Sequence, residues 1–414
     1  MYSTSRTVLM TLAAGCLISA GAVADPTPVG RTFHLSNCFD CQQHQPVVAA
    51  SPAGVFMTVW TGAEPQVVEQ GVFGRPFRSS GGPAASPFAV VEDPQPPQYD
   101  AAVATDAGGR FVLAWGETSD GQSRIMAQRY DPTGAALGPA IEVASDPISS
   151  PDNPTNQKPA VAAMPDGGFY VVWISLPPTG AAGDAPPRVL AQRFDAAEAP
   201  VRGRVQLSTG LVLGDRPSVC ADQAGRLVAV WTFVDAFRPF QASKVGVAAR
   251  RLRPRGSAIG PELVIAPAEA VTASAAVSCG ARNSWVVVWH GDDGIDTSFV
   301  PVKAQILNGA GQPARPAFLV EESSAPTNLN PSISHDAAGN FVITWESRDS
   351  NGFAISARRF AFDGSPASHE VRVATTPPQN VAARPTVATL GTGGFVVVWE
   401  GLSGTYGQRF ANNP

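Results

Sequence analysis

Three soft ligands fall close together near the start of the 414-residue sequence, in Cys38-Phe39-Asp40-Cys41-Gln42-Gln43-His44. Two thiolates and an imidazole at this spacing are ligands that zinc or copper would accept. A Cys-x-x-Cys can also work as a redox pair. It does not attach haem, because the His does not directly follow the second Cys. In an exported chain the same residues form a small disulfide that pins a loop, and this is the expected state of Cys38 and Cys41.

A second group of chemistry-bearing side chains follows a set of Trp residues. Glu117 and Asp120 lie after Trp115, and His290, Asp292, Asp293 and Asp296 lie after Trp289. Glu346 and Asp349 lie after Trp345, and Glu400 follows Trp399. If such loops converge, they offer a ligand or cation site. Glu117, Glu346 and Glu400 are the candidates for the general acid and base of a polysaccharide hydrolase or lyase, since paired carboxylates need different environments to separate their pKa values. Asp292-Asp293-Gly294-Ile295-Asp296 has oxygens for Ca²⁺ but lacks the spacing of an EF-hand loop. Ordinary solvated turns are the expected reading of these acids, ahead of a ligand or cation site. No catalytic constellation stands out, and no cofactor is expected beyond the Ca²⁺ and zinc options.

The elements that carry these residues are repeats. Trp60, Trp115, Trp173, Trp231, Trp289, Trp345 and Trp399 are nearly evenly spaced, and the eighth Trp, Trp285, stands apart from the series. Four residues before each marker are Phe56, Phe111, Phe169, Leu227, Trp285, Phe341 and Phe395. In a strand these positions share a face with the Trp. The residues between them are apolar too, as in Val396 and Val398, so the strand must be covered on both faces. Two residues before the aromatic stand Gly54, Gly109, Gly167, Gly225, Asn283, Gly339 and Gly393, which reads as a hairpin turn with a left-handed residue. A preceding strand starts at Pro46, Pro159, Pro217, Pro331 and Pro385, with Ala101 and Ala275 in the other two units. Pro at a strand start loses no needed ladder donor.

A third strand contains Ala127-Gln128-Arg129-Tyr130 and its counterparts, and a fourth contains Ile141-Glu142-Val143 and its counterparts. The last unit stops at its third strand, whereas Gly30 to Leu35 reads as a fourth strand placed before the first unit. The fold class is therefore all-β. A single seven-bladed β-propeller with four-stranded blades is expected over residues 25–414, its last blade closed by the N-terminal strand. A closed ring leaves no long unpaired edge. Residues that recur in most units, including the marker Trp series, the third-strand Arg and the turn Asp residues Asp106, Asp222 and Asp336, are expected to be structural.

Composition agrees with many short buried strands. Charged residues make up 15% and hydrophobic residues 44%, with Gly 40 and Pro 38. The formal net charge of −5 gives no basic field for nucleic acid. Arg6 and the apolar run from Val8 to Val23, followed by Ala22-Val23-Ala24, read as a signal peptide over residues 1–24. Cys16 offers a lipoprotein anchor as the alternative. No segment suits a transmembrane helix. A periplasmic or extracellular monomer that takes a protein or glycan ligand is the expectation. Export leaves Cys220 and Cys279, on adjacent first strands one position out of register, as small apolar residues without a bridge.

The phrase Gly-Gly-Phe-Val-Val-Val-Trp at 393–399, with Ala-Gln-Arg-Phe-Asp at 191–195, resembles repeats of exported bacterial β-propeller proteins of largely unassigned function. It is more distantly similar to sialidase-type propeller repeats, and the resemblance spans nearly all of residues 30–410. It implies fold rather than activity. The sialidase Ser-x-Asp-x-Gly-x-Thr-Trp box has no match here, and neither has that family's nucleophilic Tyr. Tyr130, Tyr170 and Tyr406 occupy repeat strands, which leaves Tyr99 as a loop Tyr and a candidate ligand contact.

Overall fold

Each marker Trp sits in the second strand of a separate antiparallel sheet, and seven such sheets make up the structure. This computed structural model describes residues 24–38, 41–64, 67–91, 97–148, 155–176, 186–212, 216–234, 244–270, 272–291, 300–322, 327–349, 352–376, 382–391 and 393–412. Residues 1–23 of the expected signal segment lie outside them. Blade 2 shows the pattern, with strands Gln98–Thr105, Phe111–Ser119, Gln122–Tyr130 and Ile141–Pro147 in sequential order. The first strands of neighbouring blades touch one another all the way round, blade 7 meeting blade 1, so the seven sheets close into a β-propeller. Blade 7 combines Ala382–Thr389, Phe395–Gly401 and Gly404–Ala411 with the N-terminal Thr27–His34, which pairs with its third strand from Thr27↔Ala411 to His34↔Tyr406.

The turn residues behave as their types require. Gly54, Gly109, Gly167, Gly225, Gly339 and Gly393 have φ between 73° and 90°, and Asn283 adopts 58°. This fixes the hairpin register. The aromatic or apolar residue of the second strand then faces a large side chain of the third, as in Phe56↔Phe77, Phe111↔Tyr130, Phe341↔Phe360 and Phe395↔Phe410. Phe56 and Phe77 stack at 4.9 Å, a favourable cross-strand pair. Side chains from two successive blades form each apolar layer: Val112 and Ala114 of blade 2 pack with Val171 and Trp173 of blade 3. Five marker Trp residues are 0–1% exposed.

In blades 2, 4 and 7 the third-strand Arg ties the blade to the next. Arg129 donates to Asp195 O at 3.1 Å, Arg251 to Gly309 O, and Arg409 to Ser80 O. All three acceptors lie in the tight turn after the following blade's third strand. Asp106 accepts the N–H groups of Gly108 and Arg110 at 2.9 Å, and Asp222 and Asp336 cap their turns in the same way.

Three expectations require correction. The first strands start upstream of the Pro, as in Gln43–Ala50, and cross a β-bulge around it (His44/Val47 in blade 1). Pro is tolerated there because the bulge already interrupts the ladder. Tyr99 is not a loop residue but part of the strand Gln98–Thr105. Cys220 and Cys279 do form a disulfide, with α-carbons 5.5 Å apart. Inner strands of neighbouring blades belong to different sheets, so counting along the chain does not fix their stagger. Blade 4's inner strand is also split into Leu211–Val212 and Ser218–Ala221. The second disulfide, Cys38–Cys41, agrees with its expected state. Two disulfides point to an oxidising, exported setting. Among the described residues, no helix is long and apolar enough to cross a membrane.

Candidate functional site

The inner strands leave a central cavity of about 490 Å³. At its mouth each blade contributes the residue just before the first-strand Pro or Ala: Gln45, Asp100, Lys158, Arg216, Ser274, Asn330 and Arg384. Every one is polar. Gln45, Asp100, Lys158, Asn330 and Arg384 adopt left-handed φ of 53°, 55°, 53°, 48° and 51°. A side-chain-bearing residue rarely does so, and four of these precede Pro, which crowds the helical regions further. Such strain costs about 1–3 kcal/mol per residue and persists only where the surroundings enforce it.

The bulge detaches the N–H of each left-handed residue from the ladder, so it needs another acceptor. The preceding blade provides one. His290 Nδ1 accepts from Asn330 N at 3.2 Å, Glu346 Oε1 accepts from Arg384 N, and Glu400 Oε2 accepts from Gln45 N at 3.2 Å. His290, Glu346 and Glu400 hold one repeat position, directly after the marker Trp. In blade 3 the acceptor of Lys158 N is Asp100 Oδ2, at 3.3 Å. Burial pushes the His290 imidazole down to about 4 and so keeps it neutral, and the N–H of Asn330 pointing at Nδ1 requires the tautomer with its proton on Nε2. Burial raises the Glu346 carboxyl, and hydrogen bonds from Arg384 N and Asn330 partly oppose this.

The structure thus brings some candidate residues together and separates others. Glu346 and Glu400 come from adjacent blades behind the collar; Asn330 Nδ2 donates to Glu346 Oε1 at 2.7 Å, and His44 Nδ1 lies 3.1 Å from Glu400 Oε1. His44 therefore turns to Glu400, while Cys38 and Cys41 are joined to each other and offer no thiolate to a metal. Glu117 stands apart in blade 2, where Trp115 Nε1 donates to it at 3.3 Å and Arg124 lies 3.8 Å away; burial raises its carboxyl. Tyr99 packs its ring on Gly116, where any side chain would collide with it. Its hydroxyl bonds Thr118 at 3.2 Å. Asp120 is 89% exposed on a turn. Asp292, Asp293 and Asp296 lie outside the described residues, as does the side chain of Asp349. No group of three or more His, Cys, Asp or Glu suited to a metal occurs among the described residues.

The collar itself escaped the sequence reading. Its signal was a polar residue before the strand-start Pro or Ala in all seven units. Two residues upstream, buried amides at Gln43, Gln98, Asn156 and Asn328 also went unread. Gln98 Oε1 accepts from Val72 N at 3.1 Å, and Asn156 Nδ2 donates to Ser123 O at 3.0 Å, each reaching the preceding blade.

Around the mouth the collar side chains interlock. Arg216 reaches past blade 3, bonding Ala101 O at 2.7 Å and pairing with Asp100 Oδ1 at 3.3 Å. The Gln45 amide, with its nitrogen towards Asp100 Oδ1 (3.2 Å) and its oxygen towards Arg384 Nη1 (3.1 Å), joins the two halves.

No known protein family matches the sequence, and neither does any curated protein. Solved structures share the fold. A protein of unknown function from Dyadobacter fermentans DSM 18053 superposes with TM-score 0.53 at 12% identity, covering 94% of this chain and 99% of its own. A family PL25 polysaccharide lyase, an ulvan lyase bound to -[GlcA(1-4)Rha3S]-, superposes with TM-score 0.56 at 9% identity, covering 91% and 95%. At such identities the likeness is one of architecture.

Proposed function

We propose that this propeller is a glycan-binding module whose ligand seats at the collar around the central channel. The observation that carries this reading is the collar: seven polar side chains of varied type at one backbone position, five of them in left-handed conformation. Structural repeats keep residue types, as the marker Trp and turn Gly positions do here. The collar keeps the backbone and varies the side chain, as expected of a surface adapted to one ligand. A cavity of about 490 Å³ suits a few sugar units rather than a protein surface. The similarity in fold to a lyase bound to an acidic disaccharide unit supports a sugar as the ligand class. Glu346 and Glu400 accept backbone N–H groups, which assigns them to holding the collar in shape. The test is a glycan array followed by calorimetry on hits, with Asn330→Ala and Arg384→Ala as collar variants. Saturable binding that weakens in both variants is the expected result. Hits that bind both variants as tightly as the native chain would place the site elsewhere and sink the proposal.

A second reading is favoured by one observation: Glu346 and Glu400 approach from adjacent blades, and burial raises the first. A carbohydrate hydrolase or lyase would use the pair as acid and base. Release of reducing ends or unsaturated sugars from a polysaccharide panel, abolished in Glu346→Gln and Glu400→Gln, would establish that reading instead.

A further inference from the structure

We infer that Arg216 and Arg384 form an anion subsite at the collar, which takes a carboxylate or sulfate group carried by the glycan. The inference rests on the glycan-binding reading for the identity of the bearer but not for the anion itself. Both guanidinium groups converge on one amide. Arg384 Nη1 donates to the Gln45 oxygen at 3.1 Å, and Arg216 Nη2 lies 3.4 Å from the Gln45 nitrogen, a contact between two donors and not a hydrogen bond. The two cations thus flank one small site although they come from blades 7 and 4.

Exposure separates the signs of charge. Arg384 is exposed and the Arg216 side chain is 28% exposed, whereas Asp100 is at 15% and Glu400 at 18%. Glu346 is buried. The nearby carboxylates are therefore withdrawn and engaged by donors of the protein, while the guanidinium groups face the mouth. An anion in solution meets the cations first.

Asp100 acts as the internal stand-in for the ligand. Its Oδ1 accepts from Arg216 Nη2 at 3.3 Å and from the Gln45 amide at 3.2 Å, while its Oδ2 holds the N–H of Lys158. An incoming carboxylate or sulfate takes the Arg216 Nη2 donor from Asp100 and the Arg384 Nη1 donor from Gln45. Asp100 keeps its amide contacts and loses only the ion pair. Ion pairs with both guanidinium groups replace one bond to an uncharged amide and one partly exposed pair. No covalent step is involved.

The experiment titrates the full mature chain with glucuronate, sulfate and glucose. It follows the Arg side-chain Nε–H resonances by NMR, assigned through Arg216→Lys and Arg384→Lys. Saturable shifts of the Arg216 and Arg384 resonances with glucuronate and sulfate, but not glucose, are expected. A preference of one anion over the other identifies the group the glycan carries. Asp100→Asn removes the competing charge and should tighten anion binding about fivefold, while Arg384→Gln should weaken it about tenfold or more. Unshifted Arg resonances with both anions in the native chain would overturn the subsite, whatever the variants do. Equal affinity in Asp100→Asn and the native chain would overturn the stand-in role of Asp100. A neutral glycan bound at the collar without any anion response leaves the glycan-binding reading standing and removes this one.

Discussion

Glu346 of blade 6 accepts the backbone N–H of Arg384, the left-handed residue in the bulge of the blade 7 inner strand. Glu400 does the same for Gln45 one blade further on, and His290 for Asn330 one blade earlier. In these three blades the residue after the marker Trp is thus an acceptor aimed across a blade boundary. A strained residue whose N–H has left the ladder is stable only if that N–H is satisfied, and these side chains satisfy it where water has limited access.

The first prediction follows from that bond. Glu346→Ala leaves the Arg384 N–H without its acceptor and should lower unfolding free energy by about 2 kcal/mol. Glu346→Gln keeps an acceptor oxygen and should cost much less. Chemical denaturation of both variants beside the native chain checks this. If Ala and Gln lose stability equally, the carboxylate charge matters rather than the acceptor, and Glu346 does not hold the collar through this bond.

A second prediction concerns the disulfides. Cys220–Cys279 closes a sequence separation of 59 and links the inner strands of blades 4 and 5, whereas Cys38–Cys41 spans a separation of 3. Loop-closure entropy gives the long bridge about 4 kcal/mol and the short one under about 2 kcal/mol. The double variant Cys220→Ala/Cys279→Ala should therefore melt well below Cys38→Ala/Cys41→Ala. Thiol titration of the unfolded, unreduced protein should find none of these four cysteines free.

Much of the fold was legible because it repeats. The Gly or Asn before each second strand is needed for φ near 80°, and seven copies make that need visible in the sequence. The closing strand was legible for the same reason, since one strand type was missing at one end and present at the other. The collar was not legible, because Gln45, Asp100, Lys158 and Arg384 share a backbone conformation and no residue type. Left-handed backbone before Pro runs against local preference, so only tertiary contacts reveal it. Glu346 and Glu400 were legible as candidates but not as acceptors for the next blade, because that contact depends on the bulge.

Acid should destabilise the fold through two buried imidazoles. Burial lowers both His290 and His335 to about 4. Their folded values lie below the unfolded value of 6.5, so the stability they contribute is present above pH 6.5 and is lost as pH falls towards 4. His335 packs against Gly280 and the Phe341 ring, where a charge has no partner close by except Asp336. His335→Phe should flatten the decline in melting temperature between pH 6.5 and 4, provided that the ring is accommodated. A decline as steep as that of the native chain would show that His335 does not contribute to it.

Glu321 gives the opposite slope. Burial raises its carboxyl to about 7, and only Oε2 has a bond, accepting Val302 N at 3.1 Å, while Oε1 is buried without a partner. The unfolded carboxyl ionises near 4.5 and the folded one near 7, so the folded state binds the extra proton between these values. Stability should fall as pH rises through that window, and above it the ionised group costs up to about 3 kcal/mol. Glu321→Gln keeps an acceptor for Val302 and cannot ionise. It should match the native chain at pH 4, where both carry a neutral group, and should melt higher at pH 8. A variant that is no more stable than the native chain at pH 8 would mean that Glu321 ionises there at little cost, through water reaching Oε1.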